Sequence, residues 1–217
     1  MMNIKKQIKL DIISMKPFYT LKNLIIILGI FIYNSFINKS PTGLFTMILF
    51  FAVMFSSNPF FLGENSGIDS LYKIFSLDSK KVVIGRYILA GLIFIVACLL
   101  GFSIYTIVSL IKNMPIGLDM LMFIGIYFVL YAIIISVQYP IFFKYGYTKA
   151  RTFGFLPIFI IAVIGMALGY FIKDFGPILN FVLENQKMII VGLFILVALF
   201  LIISIKLSIK FYKQRDF

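Results

Sequence analysis

The chain has 217 residues, 62% of them hydrophobic and only 13% charged, with a formal net charge of +12. Ordinary soluble domains are about 45–50% apolar and about 25% charged, so a soluble globular core is excluded as the place where this much apolar surface hides. With no histidine and a single cysteine, the Ser-His-Asp triad, the HExxH zinc helix and an internal disulfide are excluded as well.

The apolar residues fall into runs near the length that a bilayer requires, about 20 residues for a hydrocarbon core about 30 Å thick. Residues 24–37, 44–62, 87–111, 120–143, 152–172 and 188–205 are read as six spans, an all-α polytopic membrane protein. The first run is the weakest, because Tyr33, Asn34 and Ser35 interrupt it. It can start back toward Pro17, with Lys22 reaching the headgroups along its aliphatic stem; five spans is the alternative. Its distance from the start argues against a cleaved signal peptide.

Residues 1–22 precede that run. Ile4, Ile8, Ile12 and Met15 share one side at helical spacing, with Lys5, Lys9 and Lys16 on the flank. This pattern predicts an amphipathic helix in the headgroup layer, against the alternative of a frayed basic tail.

Between the second and third spans lies a polar insert, residues 63–86. Read as a helix at about 100° per residue, 68–75 carries Ile68, Leu71, Tyr72 and Phe75 on one apolar stripe, with Asp69, Ser70 and Lys73 elsewhere. Gly67 before it, and Ser76, Asp78 and Ser79 after it, are start and stop signals. The stripe either rests on the membrane surface or fills a groove on a soluble partner, and periodicity alone does not choose. Glu64 and Arg86 flank the insert with opposite signs; Arg86 either pairs with Glu64 or Asp69 or snorkels alone to the headgroups.

Several polar or kinking residues fall within the runs: Asn34, Ser56, Ser57, Asn58, Pro59, Gln138, Pro140 and Pro157. Glue between helices is the simpler reading for each taken singly, with Asn34 and Gln138 the best candidates for lining a path. Gly165 and Gly169 form a G-x-x-x-G string that permits close helix approach, read as packing within the subunit with a dimer seam as the alternative. Cys98 reads as a small buried apolar residue. Tyr19, Tyr72, Tyr87, Tyr145, Tyr147, Tyr170 and Tyr212 lie near span ends, where an interfacial belt is expected.

With six spans, one set of loops and ends holds sixteen of the twenty basic residues, and the other holds only Lys39, Lys112, Lys173 and Lys187. Basic residues stay on the cytoplasmic side, so both termini are expected there, including a tail at 206–217. The positive residues adjoin span ends and suit anionic lipid better than nucleic acid. All eight carboxylates lie at predicted ends or loops, so an intramembrane proton relay or enzyme is hard to build. No G-x-x-x-x-G-K-[ST] string is present for nucleotide phosphates, and no metal cluster is apparent.

The string Asn58-Pro59-Phe60, then Glu64, then Ile68-Asp69-Ser70-Leu71-Tyr72, then Phe75-Ser76-Leu77, Lys80-Lys81 and Gly85-Arg86-Tyr87 resembles the signature of small ABC-2 type permeases. These are membrane subunits of bacterial ATP-driven exporters. Ser76 stands where many relatives have proline, and Ser79 where they often have arginine, which bears on the loop's shape. Within the family the chain is most similar to permease subunits of staphylococcal phenol-soluble modulin exporters.

The resemblance implies six spans, with a short cytoplasmic coupling helix between the second and third that docks on a separate ATPase subunit. Glu64, Ile68, Asp69, Leu71, Tyr72, Phe75, Leu77 and Arg86 would form the coupling element. It further implies no catalysis in this chain, ATP and Mg bound by two copies of the partner ATPase, and a second permease subunit, the same or homologous. The setting implied is a bacterial cell membrane, and the cargo an amphipathic peptide. A stand-alone membrane protein, such as a peptide-immunity factor or pore, is the competing reading.

Overall fold

The computed structural model describes residues 4–18, 20–37, 42–74, 78–112, 119–171 and 184–215. Every regular element among them is helical: α1 (Ile4–Met15) with a 3-10 turn at Lys16–Phe18, α2 (Leu21–Ile37), α3 (Thr42–Asn65), α4 (Ile68–Ile74) and α5 (Ser79–Ile111). After these come α6 (Asp119–Tyr145), α7 (Tyr147–Gly154), α8 (Leu156–Phe171) and α9 (Gln186–Gln214).

Five stretches are helical, long and apolar enough to cross a membrane: Gly43–Asn65, Ser79–Ile111, Phe123–Tyr145, Tyr147–Ala167 and Met188–Gln214. The apolar part of α2, Leu21–Asn34, is shorter. At about 1.5 Å per residue the whole of α2 covers about 25 Å, just under a core about 30 Å thick.

The helices overrun the apolar runs that seed them. Asp78 caps α5, its carboxylate accepting from the Lys80 backbone N–H at 3.0 Å, so Lys80, Lys81 and Arg86 lie inside the helix. At the far end α9 continues to Gln214, so residues 206–214 of the expected tail are helical. The fifth run is broken at Phe155 between α7 and α8. Pro157 then sits in the first turn of α8, where its missing N–H leaves no helical bond unmade.

The chain divides into two compact units, the first running to Tyr131 and the second spanning Ala132–Arg215. The first unit is built on α3 against α5, with α1 and α2 each packed on both and α4 packed on α3. Phe45, Ile48, Ala52, Val53 and Phe60 of α3 and Val82, Leu89, Ala90 and Phe94 of α5 are buried in its core. Gly101 permits the closest approach, since a Cβ there would lie 1.9 Å from Ile48 Cδ1. Polar residues stitch the same helices together. The Tyr131 hydroxyl donates to the Ala90 carbonyl at 2.9 Å and bonds Ser56 Oγ at 2.6 Å, while Lys112 Nζ donates to the Phe36 carbonyl at 2.6 Å, closing the end of α2.

In the second unit, Ile134, Ile135, Tyr139, Phe142 and Phe143 of α6 are buried, as are Ala150 of α7 and Val197 and Tyr212 of α9. Ser204 Oγ donates to the Ser136 carbonyl at 2.6 Å, tying α9 to α6. Ser56, bonded to Tyr131, acts as the interhelical glue expected of it, whereas Ser204 is a glue residue that the sequence reading did not single out.

Two expectations change. Tyr72 and Tyr212 are buried rather than part of an exposed belt, because Tyr72 hydrogen-bonds within the first unit and Tyr212 sits edge-on to Phe143 at 5.5 Å. Gly165 and Gly169 make no close approach: a Cβ at either would meet nothing within 4 Å, so the G-x-x-x-G string is not a packing seam inside the described chain.

Candidate functional site

The insert takes its shape from one glycine and one buried cation. α3 ends at Asn65, and Gly67, at φ +66°, turns the backbone through the left-handed region before α4 begins. α4 then folds back onto the end of α3, bringing Asp69 against Arg86 near the start of α5.

Arg86 is the largest fully buried side chain described, 1% exposed. Its Nη2 donates to Asp69 Oδ1 and, at 3.3 Å, to the Pro59 carbonyl of α3, while the guanidinium lies 4.5 Å from the centre of the Phe60 ring. Of the alternatives left open by the sequence, pairing with Asp69 is present and solitary snorkelling is absent. A planar, five-donor cation suits this position, since it meets a carboxylate, a carbonyl and an aromatic face at once. Gly63 makes room for it: a Cβ there would lie 2.7 Å from both Arg86 Nη2 and Asp69 Oδ1.

The N-terminal helix joins the same cluster. The Tyr72 hydroxyl donates to Asp11 Oδ1 at 2.9 Å, and Gln7 Nε2 donates to the Val82 carbonyl of α5 at 2.9 Å. Gly85 lets Gln7 approach, a Cβ there falling 2.7 Å from Gln7 Oε1. Gln7, Asp11 and Met15, one turn apart, are the buried side of α1, whereas Leu10, Ile12 and Ile13 are exposed. The expected stripe of Ile4, Ile8, Ile12 and Met15 is therefore divided, because the hydrogen-bond partners on α4 and α5 draw the Gln7 and Asp11 side inward.

Burial pushes the Asp11 carboxyl up to about 6, against the opposing pull of Arg86 and the Tyr72 hydrogen bond, with Asp69 adding to the rise. Burial and the neighbouring Asp11 likewise raise the Tyr72 phenol. With Asp11 ionised the three side chains Arg86, Asp69 and Asp11 sum to one negative charge, and with Asp11 protonated to none. The cluster has no nucleophile-base pair, and no group of three or more His, Cys, Asp and Glu that could hold a metal occurs among the described residues. What it can do is mechanical: it locks α1, α3, α4 and α5 of the first unit together at one end.

The predicted site residues separate into two faces. Asp69, Tyr72 and Arg86 point inward, Glu64 and Ile68 are half-buried, and Leu71 is 46% exposed. Phe75 and Leu77 lie outside the described residues. Tyr72 is thus corrected from an outward anchor to an inward one, because its hydroxyl is spent on Asp11. The outward apolar position that the stripe omitted is Ile74, 73% exposed, three residues beyond Leu71. Gln7 and Asp11 were also missed; their one-turn spacing on a short amphipathic segment was the available signal.

The two path candidates lie in different units. Asn34 on α2 is half-buried with its Oδ1 unpartnered, and Gln138 on α6 is fully buried with neither amide atom hydrogen-bonded. Beside Gln138, Gly154 of α7 lies close enough that a Cβ would be 3.4 Å from Gln138 Cγ.

No curated protein and no solved structure matches the chain. Residues 7–213 match the profile described as ABC-2 family transporter protein, a match that takes in every helix from the buried turn of α1 to the end of α9. With its long apolar helices and this match across nearly its whole length, the chain is a multi-pass membrane protein belonging to the ABC-2 transporter family.

Proposed function

We propose that this chain is the permease subunit of an ATP-driven exporter in a bacterial cell membrane, and that a separate ATPase subunit docks on the loop between α3 and α5. The observation that carries the reading is the division of α4. Its back is held by the buried Asp69–Arg86 pair and the Tyr72–Asp11 bond, while Leu71 and Ile74 are exposed on the other side.

A short helix so braced acts as a rigid knob. Pushing on Leu71 and Ile74 moves α4 together with the ends of α3 and α5, which converts closure of a nucleotide-bound ATPase pair into a rigid-body tilt of two spans. In this reading ATP and Mg are held by two ATPase subunits, a second permease subunit completes the assembly, and both termini face the cytoplasm. Glu64 and Ile68 flank the knob, with Phe75 and Leu77 following it in sequence. The cargo is an amphipathic peptide of the phenol-soluble modulin kind, with Asn34 of the first unit and Gln138 of the second each a candidate path residue taken by itself.

Burying an apolar side chain of this size contributes roughly 1.5–3 kcal/mol before association costs. Leu71→Glu with Ile74→Glu is therefore expected to lower ATPase co-purification by at least about tenfold. It should also abolish peptide efflux while the permease still reaches the membrane. Unchanged recovery of the ATPase and unchanged efflux would reject the docking role and favour a stand-alone membrane protein.

A further inference from the structure

In the second unit an open groove of about 490 Å³ runs between α6 and the α7–α8 segment. Val137, Ile141 and Tyr145 form one wall and Phe153, Pro157 and Ile161 the other, each set spaced at single helical turns. The wall on α6 extends back to Ile133, so at about 1.5 Å per residue the groove is about 18 Å long, close to one leaflet of a core about 30 Å thick.

The lining is apolar throughout, and basic side chains flank it at the Tyr145 end. The Lys144 ammonium lies 4.8 Å from the centre of the Tyr145 ring that closes the wall and 5.1 Å from the centre of the Phe211 ring of α9. Lys149 is exposed on α7 one turn before Phe153, and Arg151 is exposed beside it. No Asp or Glu occurs anywhere between residues 120 and 171, so none from these helices offsets that charge. A long apolar slot with a cationic mouth has the polarity of one ligand class.

We propose that the groove holds an acyl chain of an anionic glycerophospholipid, its phosphate bound by Lys144 and Lys149 where α6 gives way to α7. A zwitterionic lipid would fill the slot equally well but would present a choline ammonium to the same cations. The selectivity of the site therefore lies in the lysines and its occupancy in the walls.

The test uses the full chain in phosphatidylcholine nanodiscs, doped with trace phosphatidylglycerol or phosphatidylcholine carrying a diazirine in the acyl chain, with labelled residues mapped by mass spectrometry. Phosphatidylglycerol is expected to label residues 133–161 about tenfold more than phosphatidylcholine, given two basic residues at the headgroup. Lys144→Gln with Lys149→Gln, both exposed and tolerant of change, should bring that ratio to about one without reducing phosphatidylcholine labelling. Val137→Trp should lower labelling by both lipids. Equal labelling by the two lipids in the unsubstituted chain, a ratio unmoved by the double substitution, or a groove labelled by neither lipid would each overturn the proposal.

Discussion

Asp11 carries a carboxyl buried at 1% exposure, and burial is the main cause of its shift. Its carboxyl is raised from 3.8 to about 6, so the folded chain holds the proton more tightly than the unfolded chain does. Its contribution to stability is therefore full below pH 3.8 and is lost as pH rises through about 6. A shift of this size corresponds to roughly 3 kcal/mol. Asp11→Asn keeps an acceptor for Tyr72 while removing the charge. It is expected to flatten the pH dependence between these two values and to match or exceed the parent in stability at pH 7 to 8. Thermal unfolding of the detergent-solubilised chain across that range checks it, and an unaltered pH slope would show that Asp11 is not the group responsible.

At the scale of elements, α4 has only 7 residues, whereas isolated helices below about 12–15 residues are marginal in water. It is helical because it is tethered, by Gly67 at its entry, by Asp69 to Arg86 and by Tyr72 to Asp11. Removing one partner of a buried ion pair costs about 3–5 kcal/mol, because the other charge is left without compensation. Asp69→Asn and Arg86→Leu should therefore release α4. Gly63→Val should do the same, since it intrudes on both partners. Hydrogen–deuterium exchange over residues 68–74 should rise in all three, and protection at the parental level would mean that the pair does not hold the helix.

For the whole molecule, family membership and five span-length helices establish a multi-pass membrane protein, and its orientation is a prediction from the uneven placement of the basic residues. The charge asymmetry predicts that the turn at Ser66 and Gly67 faces the cytoplasm. In a Cys98→Ala background, Ser66→Cys should react with a membrane-impermeant maleimide in inverted vesicles and not in intact cells. Labelling from the outside of intact cells would place the α4 knob away from any cytosolic ATPase and remove the coupling proposal with it.

How much was legible follows from the range of the forces involved. Apolar transfer into lipid adds up residue by residue along a run, so the all-helical membrane class and five of the six expected spans were readable from sequence without knowing any partner, the first run giving a shorter apolar helix. The stripe on α4 was also readable, but not which of its sides turns inward. That choice rests on Arg86, 17 positions away, and Asp11, 61 positions away, and seven residues of periodicity carry no information about either. The Tyr72 bond and a bond from Gln7 to the Val82 carbonyl, 75 positions away, placed polar Asp11 and Gln7 on the inner side of α1, against its apolar pattern. Tertiary structure decided both faces, because a buried charge must find its counter-charge or hydrogen-bond partner wherever the chain brings one.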